Sequence, residues 1–170
     1  MSQTVKHPLT PIYNERSKIL ILGTMPSPIS RQRAFYYAHP QNRFWQILFA
    51  LLRCPPIEDN EARRNFCLSH GIALWDVLKS CTIEGASDAT IRDAVPNDIA
   101  LILEKANIQA IFTTGQTAGK LYHRLCERST GRPAIVLPSP SAANAAMRLD
   151  TLLERYRILL PYLDEPPTCI

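Results

Sequence analysis

No two of the five cysteines, Cys54, Cys67, Cys81, Cys126 and Cys169, stand as C-x-x-C, and their number is odd. Both facts speak against a disulfide framework and a local zinc site, and they fit a reducing compartment. An iron–sulfur cluster gathered from distant cysteines stays open, with buried thiols the preferred reading. The N-terminal stretch MSQTVKHPLTPIYNERSK lacks the apolar core of a signal peptide, and no run reaches membrane-spanning length. A soluble, cytoplasmic protein with no membrane partner is therefore expected. No internal repeat or low-complexity run interrupts the 170 residues, which read as a single domain, residues 1–170, long enough to bury a sizeable core. Neither sign of charge dominates: 19 Lys+Arg against 15 Asp+Glu leave +4, which permits a polyanionic partner without demanding one.

Two common catalytic signatures are missing as well. Ser27, Ser139 and Ser141 each follow an apolar run, but there is no G-x-S-x-G elbow. Of the four histidines only His39 lies near a candidate loop, so a serine triad is set aside. GQTAGK, Gly115 to Lys120, is one residue short of the Walker spacing and is followed by Leu121. Its amides could still meet a phosphate at a helix N-terminus, but a tight strand-to-helix turn is the preferred reading.

What the chain does have is concentrated between Ile19 and Trp45. Ile19 to Leu22 are apolar without alternation and run into Gly23, as suits a strand of a parallel sheet covered on both faces. Such a strand delivers its loop to the ligand crevice at the carboxyl edge. The loop carries Thr24, Ser27 and Ser30 among Pro26 and Pro28, and Phe35, Tyr36, Tyr37, His39, Asn42, Arg43, Phe44 and Trp45 follow.

Residues 1–17 read as an extended arm, with Pro8 and Pro11 against helix and Tyr13 as its anchor. Helical spacing predicts helices over Asn42 to Leu52, stopped by Pro55-Pro56, and over Asp59 to His70, ended by Gly71. Ile72 to Trp75 gives a second strand that delivers Asp76 to the same edge, and Lys79 to Asp88 reads as loop. A helix from Asn97 to Lys105, a strand from Ile108 to Thr113, a helix from Gln116 to Glu127, a strand from Ala134 to Leu137 and a helix from Leu149 to Leu160 complete the chain. The expectation is an α/β fold, a three-layer sandwich around a central, mostly parallel four-stranded sheet. Parallel strands would bring the Thr24–Ser30 loop and the second Ser/Pro loop, PSPSAANAA, to one crevice.

Within that crevice several residues carry two readings. Arg31, Arg33 and Arg43 suit phosphate contacts or a solvated loop equally. Phe44 and Trp45 lie on an apolar stripe and belong to the core, while one of Tyr36 and Tyr37 packs inward and the other offers a face to a flat ligand. Asp76 reads a base edge or caps a turn, and Asn42 orients a water or caps a helix. An aromatic face with amide-bearing loops and short hydroxyls would suit a nucleobase held outside its duplex.

GTMPS, then YYAHPQNRFW, then a late LPSPSAANA resemble the uracil-DNA glycosylase superfamily, in the right order and over most of the chain. The mismatch-specific branch carries a similar H-P-x-N-R-F-W run. The hypoxanthine-DNA glycosylase branch is closer, with G-[ST]-x-P-S, Y-Y-x-H-P-x-N-x-F-W and a segment like GIALWDVL, Gly71 to Leu78. The resemblance implies a monofunctional, monomeric DNA glycosylase that acts on DNA containing a deaminated base, hypoxanthine first, then uracil or xanthine. It would leave an abasic site and need no metal or other cofactor.

Carried over by position, Tyr37 matches the aromatic that stacks on the flipped base. Gly23, Thr24, Met25, Pro26 and Ser27 match the motif that shapes the base pocket and nears the sugar. Ser139, Ser141, Ala142 and Asn144 fall in the loop that enters the minor groove, with Ala142 and Ala143 where some relatives have a large wedge. Met25 stands where much of the superfamily has a water-activating Asp or Asn. In the hypoxanthine branch the Asn of H-P-x-N takes that role, which here is Asn42. Apart from the resemblance, His39 either donates to the base or a phosphate or holds the loop by a structural hydrogen bond, and Asp76 is the candidate base contact. Because Met25 cannot polarise water, a catalytically silent DNA or nucleobase-binding module is the alternative, and a hydrolase of small nucleosides is a third reading.

Overall fold

The computed structural model describes residues 1–163. In chain order its elements are β1 (Ser2–Lys6), β2 (Ile19–Gly23), α1 (Pro28–Arg33), α2 (Phe44–Leu51), α3 (Asn60–Ser69), β3 (Ile72–Asp76), β4 (Leu78–Glu84) and β5 (Ser87–Pro96). Then come α4 (Ala100–Lys105), β6 (Ala110–Thr114), α5 (Gln116–Leu125), α6 (Glu127–Thr130), β7 (Ile135–Leu137), α7 (Leu149–Tyr156) and a 3₁₀ helix, Arg157–Tyr162.

The central sheet has the order β3-β2-β6-β7 and is parallel throughout. Every residue of β2, β3 and β6 is buried, so both faces are covered, and this is why these strands read as unbroken apolar runs. On the sheet, α3 packs against β3 and α5 against β6 and β7. Gly119 allows that last approach, since a Cβ there would lie 2.6 Å from Val136 Cγ2. With Gly115 at φ +98° in the turn before α5, the GQTAGK segment is accounted for by packing. The register sets Gly23 opposite Asp76 and Leu22 opposite Thr113, so Gly23, Asp76 and Thr114 finish at one edge.

A second, antiparallel sheet of order β1-β4-β5 corrects two expectations. Lys79 to Asp88 is a hairpin with Gly85 at φ +58° in its turn, where a loop was expected. Register shifts along the β4–β5 pair and a mostly exposed β5 erase the alternation that would announce the strands. The arm also contains a strand, and its anchor is Ile12 rather than Tyr13. Ile12 exchanges two 2.9 Å backbone hydrogen bonds with Leu74 and is 1% exposed, whereas Tyr13 is half-buried at the core margin.

The Thr24–Ser30 loop contains α1, too short at six residues for any periodicity to show. Its start has a clear local cause: Ser27 accepts the Ser30 N–H and Pro28 occupies the first turn. Other elements differ from expectation at their ends. The helix expected from Asn97 begins at Ala100, because the Asn97 carboxamide is committed to the carbonyls of Asp76 (2.9 Å) and Leu78 (3.0 Å). The last helix tightens to 3₁₀ at Arg157, with Pro161 inside that segment. Cys67, Cys81 and Cys126 are buried, and Cys169 lies outside the described residues. Among the described residues no helix is long and apolar enough to cross a membrane.

If Ile12 is what docks the arm, Ile12→Ala lowers the unfolding free energy by about 2–5 kcal/mol in urea denaturation. Tyr13→Ala should cost about 1 kcal/mol or less.

Candidate active site

The floor of the site forms where β2 and β3 end side by side. The ladder continues past the strands, as Val77 N–H donates to Gly23 C=O (2.8 Å) and Leu78 N–H to Thr24 C=O (3.1 Å). The segments carrying Gly23 and Asp76 are thus fixed to each other. Asp76 is 4% exposed, and its Oδ1 lies only 2.4 Å from where a Cβ on Gly23 would be. The absence of a side chain at Gly23 is therefore what gives the carboxylate its room. Asp76 Oδ2 takes a 2.6 Å hydrogen bond from Nε2 of His7.

Tyr37 closes the same corner. It sits at φ +51°, a backbone region that L-residues with large side chains avoid. Two contacts hold it there: a stack on Phe44 with centroids 3.8 Å apart, and a 3.1 Å hydrogen bond between its hydroxyl and Thr114 Oγ1. Burial, reinforced by the Asp76 charge, pushes the phenol well above its ordinary value. Tyr37 therefore remains a neutral phenol at physiological pH. Its neighbour Tyr36 packs inward, donating to Thr10 C=O (2.8 Å) and accepting at its own carbonyl from Trp45 Nε1 (2.9 Å). Phe44 and Trp45 are core residues.

The two Ser/Pro loops do meet, and Arg43 joins them. Its guanidinium donates to the carbonyls of Pro140, Ser141, Asn144 and Met147, and its backbone N–H also reaches Pro140 C=O (3.0 Å). Arg31 and Arg33 likewise bind carbonyls, those of Pro26 (2.8 Å) and Ala38 (3.0 Å). All three arginines are thus committed to backbone. In the second loop Ser139 Oγ accepts the Ser141 N–H and Ser141 Oγ the Ala143 N–H, both at 3.2 Å. Asn144 braces the turn from off the cavity, donating to Ser139 C=O at 3.0 Å.

These walls enclose a cavity of about 490 Å³, within the range of small-molecule sites. Gly23, Thr24, Met25, Pro26, Ser27, Tyr37, His39, Asn42, Asp76, Ser139, Ser141 and Ala142 all line it. Asn42 is not the N-cap of α2, a position held by Arg43 without a side-chain cap bond; one residue earlier, its Oδ1 accepts the Phe44 N–H at 2.9 Å in a turn that leads into the helix. Nδ1 of His39 accepts from the Gln41 N–H at 3.1 Å, a bond that shapes the turn. Met25 is half-buried and packs against the core.

Sequence reasoning missed three contributors. Asp88, just past the hairpin turn, lines the cavity as an exposed residue, its carboxyl raised by the protein that partly covers it and by Asp76, against an opposing hydrogen bond with Thr24. Thr114 orients Tyr37, and His7 holds Asp76 from a distance of 69 residues in sequence. Only Gly85, lying between Thr82-Ile83 and Thr90-Ile91, could have announced the hairpin that carries Asp88. Among the described residues no group of three or more His, Cys, Asp or Glu could hold a metal ion.

A flat aromatic, a buried carboxylate and two Ser/Pro loops thus meet at the carboxyl edge of a parallel sheet, the place where open α/β folds take their ligands. The chain belongs to the uracil DNA glycosylase superfamily, whose family model matches residues 10–160. It is 32% identical over 141 residues to a hypoxanthine DNA glycosylase of Methanosarcina barkeri, covering 82% of this chain and 88% of the relative. A protein of the same description from Methanosarcina acetivorans is 34% identical over 143 residues, covering 82% and 89%. The solution NMR structure of a Methanosarcina acetivorans protein, provisionally described as a uracil DNA glycosylase, superposes with a TM-score of 0.77 at 30% identity. It covers 94% of this chain and 99% of its own.

Because Lys cannot serve several divergent carbonyls at once, Arg43→Lys should cost about 1–3 kcal/mol of stability. Amide hydrogen exchange should speed up selectively between Ser141 and Met147.

Proposed function

We propose that this protein is a DNA glycosylase that hydrolyses the N-glycosidic bond of a deaminated base in DNA, hypoxanthine first, with uracil and xanthine as further substrates. The observation that carries the reading is the convergence of Tyr37 and a carboxylate oxygen of Asp76 over the bare Gly23, in a cavity walled by two stiff loops. A flipped base would stack on Tyr37 and meet Asp76 at its edge. The backbone of Thr24 and Met25 would approach its sugar, and Ser27, Ser139, Ser141 and Ala142 would face the strand.

The chemistry breaks the bond between C1′ and the base nitrogen, with the electron pair leaving on the base. Water oxygen then bonds C1′, and its proton passes through solvent to the departed base anion, which leaves as the neutral base. Asn42 is the group we assign to that water. Its carboxamide oxygen has two lone pairs and Phe44 uses one, so the turn bond and water orientation coexist. A neutral amide is a poor base, so the acceleration comes chiefly from positioning and from stabilising the departing base. A carboxylate beside a departing anion opposes the developing charge, so Asp76 selects the base and does not drive cleavage. Water attack needs no metal or organic cofactor, and the chain acts as a monomer on DNA.

The test is single-turnover release from duplexes containing deoxyinosine, deoxyuridine or deoxyxanthosine. Asn42→Ala should lose about a hundredfold or more in rate with duplex affinity unchanged. Asn42→Ser retains an oxygen for the Phe44 N–H but is too short to reach the water, so it should fold like wild type and be equally slow. Release unchanged in both variants removes Asn42 from the chemistry. Should wild type bind all three duplexes and release nothing, the binding-module reading prompted by Met25 replaces this one.

A further inference from the structure

Asp76 treats its two oxygens differently. Oδ2 is bound to His7 Nε2, and the His7 side chain is only 2% exposed. No donor from the described residues is recorded on Oδ1, which lies over Gly23 in the cavity wall. The imidazole tautomer follows from its other nitrogen. Nδ1 accepts the Leu9 N–H at 3.3 Å, so it carries a lone pair, the ring proton sits on Nε2, and that proton points at Asp76. The backbone fixes the imidazole in place: β1 pairs with β4, and the ladder continues through His7 N–H to Lys79 C=O at 2.7 Å. The ring also packs near Tyr36, centroids 6.2 Å apart.

We infer that His7 is a specificity-determining positioning residue: by occupying Oδ2 it leaves Asp76 with one open acceptor, Oδ1, directed at the base. The inference rests on reading the cavity as a base pocket. A single acceptor suits a base that offers one ring N–H at that edge, as hypoxanthine does at N1 and uracil at N3. Adenine has a lone pair at N1, which repels the carboxylate oxygen. Guanine offers N1–H and N2–H side by side, a pair that fits two open carboxylate oxygens, and His7 has closed one of them. Deamination of adenine turns N1 from acceptor to donor, and that change is what the His7–Asp76 pair detects.

The experiment compares two duplexes that cannot be cleaved, one carrying 2′-fluorodeoxyinosine and one a tetrahydrofuran abasic analogue. Their affinity ratio isolates the contact with the base. His7→Ala should lower the preference for the inosine duplex about tenfold or more and leave abasic affinity unchanged. His7→Gln, which keeps an N–H donor, should restore most of the preference. Equal weakening on both duplexes, no change on either, or failure of Gln to rescue overturns the inference. Release from plain deoxyinosine by wild type is measured in parallel. If that is absent while the ratio responds to His7, the glycosylase reading fails and the inference stands; active release with an unresponsive ratio gives the reverse.

Discussion

One guanidinium holds the two halves of the site together. The Pro140–Met147 segment belongs to neither sheet nor helix, so its carbonyls have no ladder to join. Arg43 supplies donors to four of them. Each would otherwise cost about 1–3 kcal/mol if buried without a partner. A planar fork with five N–H groups can do this from one point, and an ammonium cannot. Because Arg43 directly follows Asn42 and is the N-cap of α2, the same residue sets the second loop relative to the candidate water-binding amide. The buried Pro140 and the Tyr156 hydroxyl on Pro138 C=O (2.6 Å) seat the loop from the other side.

The electrostatics of the cavity are equally economical. The Asp76 charge contributes to raising Tyr36 and Tyr37, in both cases behind burial as the larger cause. Both tyrosines therefore present neutral rings and hydroxyls. The nearby arginines donate to backbone carbonyls and so order the loops, while a neutral carbonyl leaves the guanidinium charge in place. Arg31, Arg33 and Arg43 therefore keep positive charge beside the cavity within a modest net charge of +4.

What could be read from the sequence follows what is local. The parallel strands were legible because burial on both faces writes an unbroken apolar run, as in Ile19–Gly23 and Ile72–Asp76. The convergence of the two loops followed from strand direction alone. The β4–β5 hairpin was not legible, since its register shifts break the alternation, and α1 has too few residues for a period to form. At the site, Gly23, Tyr37, Asn42 and Asp76 stood in motifs, and the structure places all four on one cavity. His7 stood in no motif: its significance exists only because β1 pairs with β4 and brings it to Asp76. Arg43 was visible as a charge, but its carbonyl partners are 97 to 104 residues away.

On the proposed reading, the chemical load lies elsewhere than in the first loop. Met25, two residues after Gly23, is packed against the core and offers no acceptor for a water proton. The carboxylate of the site would then stand at the base end, one oxygen taken by His7. Negative charge next to a leaving base works against bond cleavage, whereas the same charge near the sugar would favour the developing cation. A pocket built this way gives up transition-state stabilisation in exchange for a sharper test of which base has entered. That is a reasonable balance when intact bases vastly outnumber damaged ones, because a slow cut at the right base does less harm than a fast cut at a wrong one.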